Sequence, residues 1–416
     1  MFARFFGAAA LLAVCSHAYA DDAQVARGAY LTHAADCYAC HTATGGKLFA
    51  GGRQFTTPFG AIYAPNITPD KQTGIGDYTD DEFVSALREG VGRGGKHLYP
   101  AMPYNSYTRM SRDDALAIKA YLFTLPPVHA TAPANRLSFP FNQRFLMVFW
   151  NLLNNPDRRW TPDSSKPADW NRGAYLVQAL GHCEQCHTPR NLTQGLSGQA
   201  YAGAEQQGYV AWNITSDRVH GIGGWTDAAL ENYLSTGHAD GHGPASGSMA
   251  EAVSDSLHFL SRDDIHAMVV YLRSIPPQET GVPAVDHVPS PQVGSGGTPD
   301  GLGARVFAQA CTGCHMLSGA GRQNDLASLA GAHSTGDPAG ANLTQVILGG
   351  SHLVNGEGEA FMPGFSGGYS DAEIAALSNY VIGHFGGRTG TVTDAAVGKA
   401  RKDVLTGGTT TKPPTS

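Results

Sequence analysis

Cys-x-x-Cys-His occurs three times in this chain, as CYACH at 37–41, CEQCH at 183–187 and CTGCH at 311–315. Six of the seven cysteines lie in these pentapeptides. In a helical turn, cysteines three residues apart share a face, so two thiols reach the two vinyl groups of one porphyrin. The next residue, histidine, then projects beneath the ring toward the iron. The pattern is that of c-type haem attachment. It predicts three covalently bound haem c groups, held by Cys37 and Cys40, Cys183 and Cys186, and Cys311 and Cys314, with iron ligands His41, His187 and His315. Two other uses of a cysteine pair stand beside this one. A zinc site needs a second ligand pair near each first one. A thioredoxin-type dithiol sits in a βαβ unit, and no such pattern surrounds these motifs.

The surroundings repeat as well. RGAYLTHAADCYACHT (27–42) matches RGAYLVQALGHCEQCHT (172–188). Each is followed by NIT (66–68; 213–215), then GIG (74–76; 221–223), then a helical pattern ended by prolines, SRDDALAIKAYLFTLPP (111–127) and SRDDIHAMVVYLRSIPP (261–277). Ser111 and Ser261 are N-cap candidates with Asp114 and Asp264 three residues on, and Pro126 and Pro276 stop the helices. A third module opens with GARVFAQACTGCH, lacks NIT and GIG, and closes with a helix capped by Ser370 and Glu373 that runs out at Gly386 and Gly387. The helical patterns make the chain mainly α.

A methionine thioether opposite the histidine raises the potential of a haem. Met102 in YPAMPY and Met362 in AFMPGF precede prolines between haem motif and closing helix, and Met249 holds the matching place in SGSMAEAV. Met102, Met249 and Met362 are the expected second axial ligands. Met110, Met147, Met268 and Met316 fit core or surface roles. His238 and His242 are competing candidates to Met249, and solvated loop histidines are the alternative for both. Three irons with both axial positions filled carry single electrons and leave no open position for substrate.

The chain of 416 residues is long enough for two or three domains. Its net charge of −7 gives no reason to expect a nucleic-acid partner. Arg4, the apolar run Phe5–Val14 and Ala18-Tyr19-Ala20 form a secretory signal peptide over 1–20, which contains Cys15 and places the mature start at Asp21. No other apolar run reaches the length of a membrane span. The expected order is domain 1 over 21–130, a connector over 131–168, domain 2 over 169–278, a Pro/Gly/Ser linker over 279–299, domain 3 over 300–390 and a flexible tail over 391–416. Within the tail, 394–405 has a weak amphipathic helical pattern. The connector holds FPFNQRFLMVFWNLLNNP (139–156), crowded with Phe141, Phe145, Leu146, Phe149, Trp150, Leu152 and Leu153. One reading is a helix packed between modules. The other is a surface segment facing lipid, quinone or a partner subunit.

The order of RGAYL…CxxCHT, NIT, GIG, YPAMPY, FPFN…WN, DWNRGAYLV…HCxxCHTPRN, MAEAV and YLRSIPP resembles the tri-haem cytochrome c subunits of membrane-bound bacterial dehydrogenases. Those serve alcohol, gluconate, fructose, sorbitol and aldehyde oxidation. The resemblance covers nearly the whole mature chain and does not select one substrate. It implies three tandem class I cytochrome c domains joined by linkers. It also implies electrons arriving from a catalytic subunit (quinoprotein, flavoprotein or molybdoprotein) and leaving to ubiquinone, at the periplasmic face of the bacterial cytoplasmic membrane with peripheral attachment. A catalytic site on this chain is not expected. The alternatives are a free periplasmic electron carrier and a peroxidase-like haem enzyme, the latter requiring a haem with an open position.

Overall fold

The computed structural model describes residues 22–206, 208–279, 301–322, 325–329 and 331–407. The expected signal peptide over 1–20 lies outside these, as does the linker apart from residue 279. The described chain is mainly helical with short two-stranded hairpins. By contacts it forms two compact units. The first takes the chain up to Arg53, Ile62–Thr161 and Ala179–His182. The second takes Gln54–Ala61, Pro162–Gln178 and the chain from Cys183 on. Domains 2 and 3 of the sequence reading, apart from Ala179–His182, thus share one unit.

In the first unit an opening helix (22–34) runs into the short helix Cys37–His41 and crosses the closing helix Arg112–Leu122. The crossing is close because Gly28 faces the partner backbone. A Cβ there would lie 1.9 Å from the Ala117 carbonyl oxygen. Arg27 donates from Nε to Asp114 at 2.8 Å, beside the same crossing. Between these helices, Asp80–Glu89 starts in a complete Thr79/Glu82 capping box, buries Phe83, Val84 and Leu87, and ends at Gly90 with φ 67°. The hairpin Val91–Gly92 with Lys96–His97 then leads toward Met102.

The second unit runs through the same plan twice. Ala168–Tyr175 crosses Arg262–Arg273, with a Cβ on Gly173 1.8 Å from the Ala267 carbonyl oxygen. Leu302–Ala310 crosses Asp371–Phe385, with a Cβ on Gly303 2.0 Å from the Ala376 carbonyl oxygen. These glycines stand nine, ten and eight residues before the first cysteine of their motifs. The extra residue of the second module is absorbed in a π-helical turn, Leu176–Leu180, followed by His182 at φ 38°. The third module instead runs straight into its motif, with Cys311 capping the opening helix. Helix Asp227–Thr236 with hairpin His238–Ala239/Gly243–Pro244, and helix Ala341–Gly349 with hairpin Ser351–Asn355/Gly358–Met362, repeat the helix–hairpin step.

One expectation needs correction. The tail is not flexible over 391–407. Asp394–Gly407 is a helix, with Val397 and Val404 buried in the core that also holds Phe307, Leu348, Ile374 and Ile382. Arg401 binds Asp371 at 2.8 Å and donates to the Ser366 and Tyr369 carbonyls. Valines seven residues apart on one helical face, with a cationic lock beside them, are enough to seat the weak pattern. The connector does form a helix, Leu146–Asn154, but none of its residues is buried. Its polar side is the anchored one. Asn151 donates to the Glu89 carbonyl at 3.1 Å and accepts from Tyr104 Oη at 2.7 Å, and Trp150 stands edge-on to Tyr104. Phe139, Phe145, Phe149, Leu152 and Leu153 face outward, Leu152 being 81% exposed.

Candidate haem sites

Each motif histidine is held in the same way. His41 Nδ1 lies 2.8 Å from the Pro65 carbonyl oxygen, His187 Nδ1 2.6 Å from that of Trp212, and His315 Nδ1 2.7 Å from that of Ala327. A carbonyl only accepts, so Nδ1 carries the proton and the lone pair stays on Nε2, the nitrogen offered to a metal. Burial lowers the pKa of all three imidazoles, opposed by the carbonyl bond, which keeps them neutral and ligand-competent.

The NIT and GIG repeats build this holder. Asn66 Oδ1 accepts from the amide and hydroxyl of Thr68 at 2.9 and 2.8 Å, and Asn213 Oδ1 does the same for Thr215 at 2.8 and 2.7 Å. The amide side of each asparagine reaches the chain beyond the closing helix, at Val128 and Gln278. The Thr68 and Thr215 carbonyls accept from Ile75 and Ile222 at 2.9 Å. The residue just before each asparagine, Pro65 or Trp212, is thereby fixed with its carbonyl on the motif histidine. The third module has no such asparagine and uses Ala327, at the end of a short helical turn, Asp325–Ala327.

The six motif cysteines form no disulfide. Burial pushes the Cys183 thiol up to about 12 and Cys311 to about 11, and raises Cys37 further. Neutral thiols beside one another suit thioether formation better than thiolate binding of zinc. Among the described residues no three His, Cys, Asp or Glu side chains come together as a metal-ion set. Paired thiols followed by a histidine with its tautomer fixed fit a covalently held haem.

Met102, Met249 and Met362 are all half-buried, whereas Met110 and Met268 are core residues at 1% exposure and Met316 is exposed. Met102 follows its hairpin in a loop, Met362 ends a strand, and Met249 lies in helix Gly247–Asp255. His242 stacks on Trp225 with ring centroids 3.5 Å apart, and His238 pairs with Pro244 in a hairpin. Sequence reasoning missed the holder carbonyls of Pro65, Trp212 and Ala327. In two of the three, the signal was present as the residue preceding NIT.

This construction is that of a c-type cytochrome, and comparison with known proteins agrees. The cytochrome c family model matches residues 25–126 and 302–383. The chain is 38% identical to the fructose dehydrogenase cytochrome subunit of Gluconobacter japonicus, covering 91% of this chain and 82% of that protein. It is 37% identical to the gluconate 2-dehydrogenase cytochrome c subunit of Pantoea cypripedii, over 92% and 91%. It is 35% identical to the cytochrome c subunit of the quinone alcohol dehydrogenase of Gluconacetobacter polyoxogenes, over 92% and 85%. The chain belongs to the family of dehydrogenase cytochrome c subunits.

Proposed function

We propose that this chain is a tri-haem electron relay, taking single electrons from the catalytic subunit of a periplasmic dehydrogenase and delivering them to ubiquinone in the membrane. The observation that carries this reading is the threefold recurrence of one arrangement: a thiol pair, then a histidine with Nδ1 on a backbone carbonyl 2.6–2.8 Å away. Bound haem supplies the Fe(III)/Fe(II) couple. The chain's own residues do the rest. Cys37, Cys40, Cys183, Cys186, Cys311 and Cys314 hold the three groups. His41, His187 and His315 would ligate the irons, and Met102, Met249 and Met362 would complete the ligand sets. Each module, with its helix crossing and helix–hairpin step, is read as one class I cytochrome c domain. The fructose, gluconate and alcohol dehydrogenase relatives support a sugar, a sugar acid or an alcohol as the substrate class, to which the motif resemblance adds aldehydes.

The exposed face of Phe139, Phe145, Phe149, Leu152 and Leu153 supports peripheral seating at the periplasmic surface of the cytoplasmic membrane, close to quinone. Among the described residues no helix is long and apolar enough to cross a membrane. Purification of the tagged chain in mild detergent, with mass spectrometry of what accompanies it, tests the proposal. A co-purifying flavoprotein, quinoprotein or molybdoprotein supports it. A lone, fully water-soluble tri-haem protein refutes it.

A further inference from the structure

The carbonyl that holds His187 belongs to a segment seated on the third module. Within the second unit, the Val210 amide donates to Asn342 Oδ1 at 2.6 Å, and Asn342 Nδ2 donates back to the Val210 carbonyl at 2.9 Å. Asn342 and Val210 are both buried. Two residues on, Trp212 gives its carbonyl to His187 and sets its indole 5.5 Å from the His333 ring of the third module. His333 also lies 5.8 Å from Trp225. The backbones beside this contact touch as well. A Cβ on Gly331 would stand 2.0 Å from the Gly241 carbonyl oxygen, and one on Gly243 2.5 Å from Ala332 Cβ.

The first module has a different arrangement at the same place. Tyr63, two residues before Pro65 as Val210 is before Trp212, donates its amide to Asn135 Oδ1 at 3.0 Å, so the segment there is held from the chain just beyond the module. In the third module Leu329, two residues after Ala327, bonds back to Gly319 of that module. Among the described residues, the second module's holder is the one whose strand is hydrogen-bonded at both backbone groups by a side chain of a neighbouring module.

We propose that the third module tunes the haem of the second by clamping the backbone that holds His187, with Asn342 and His333 as positioning residues. This rests on the haem reading above. The bond from Nδ1 to a carbonyl makes the imidazole a stronger donor to iron, which favours the ferric state and lowers the potential. Loosening the clamp weakens that bond and raises the potential of the second haem.

The test is spectroelectrochemical titration of the full-length holoprotein, with haem counted per chain by the pyridine haemochrome. The second-module centre is identified as the one lost on joint Cys183→Ala and Cys186→Ala replacement. Asn342→Ala and His333→Ala are each expected to shift that centre upward and to change its ferric EPR signature, with the other two in place. His333→Phe keeps a ring against Trp212 and is expected to restore the wild-type values. The His333 pair carries the test by itself should Asn342→Ala not fold. An unmoved second centre in folded, fully loaded variants overturns the inference, and so do three centres shifting together. A wild-type chain without haem on Cys183 and Cys186 fails the haem assignment itself, and the inference with it.

Discussion

Gly173 and Ala267 are in backbone contact, and a Cβ on Gly173 would stand 1.8 Å from the Ala267 carbonyl oxygen. The same approach recurs at Gly28 with Ala117 and Gly303 with Ala376. It sets how deeply the opening and closing helices interlock, and so where the motif leaving the opening helix lies. Gly173→Ala forces the helices apart. Overpacking of this kind costs about 1–3 kcal/mol. Thermal unfolding of the holoprotein should show a lower midpoint for Gly173→Ala, against an unchanged one for Gly198→Ala, where a Cβ meets open space. Equal midpoints would sink the argument.

Arg172 locks the same crossing through two bonds to Asp264, at 2.7 and 2.6 Å. The Asp264 carboxylate is 12% exposed and Arg172 34%. Arg172→Met leaves a largely buried carboxylate short of its partner, and a loss of about 1–3 kcal/mol is expected. The double variant Arg172→Met/Asp264→Asn should recover part of it, because the uncompensated charge is gone. Chemical denaturation of both variants checks this. A double variant no better than the single one refutes the charge argument.

Met102→Ala should leave haem attached, since the thioethers are untouched, yet lower the potential of that centre, because a thioether ligand favours Fe(II). Turnover with quinone should weaken. A redox titration identical to wild type would remove Met102 from the ligand set. Met362→Ala and Met249→Ala are read in the same way on their own centres.

Joint replacement of Cys183 and Cys186 by alanine should cost one haem in three and interrupt the relay while the other two absorb normally. Haem content per chain decides it. Unchanged content would mean that the second motif carries no haem.

Replacing Phe145, Phe149, Leu152 and Leu153 together by glutamine should move the chain from the membrane fraction to the soluble one. These side chains are 59–81% exposed, so each change should alter stability by no more than about 0.5 kcal/mol. Binding to vesicles of mixed anionic and neutral phospholipid is the direct readout. Wild-type and variant chains binding equally would exclude this face as the membrane seat.

Much was legible in the chain alone. The pentapeptides identify thiols and histidine, because porphyrin attachment demands that spacing. Closing helices start at Ser111, Ser261 and Ser370, whose hydroxyls accept from Asp114, Asp264 and Glu373 amides. These are short-range facts, and local hydrogen bonding settles them. The tail was less legible. Two valines and Arg401 make a weak pattern by themselves, and only the third module's core gives them something to bury against.

The sequence by itself determined the number of motifs, the thiol–histidine chemistry and the periodic helices that frame them, because each depends on residues within a few turns of one another. The tertiary structure decided what those residues lean on. Pro65, Trp212 and Ala327 became histidine holders through carbonyls, which carry no side-chain signature. Asn342 came to govern Val210 across 132 residues. The 146–154 helix set Asn151 against Glu89 and Tyr104 and left Phe149, Leu152 and Leu153 exposed, because those partners offered it hydrogen bonds in place of an apolar groove. Contacts of that range depend on how packed backbones meet, and no local pattern encodes the meeting.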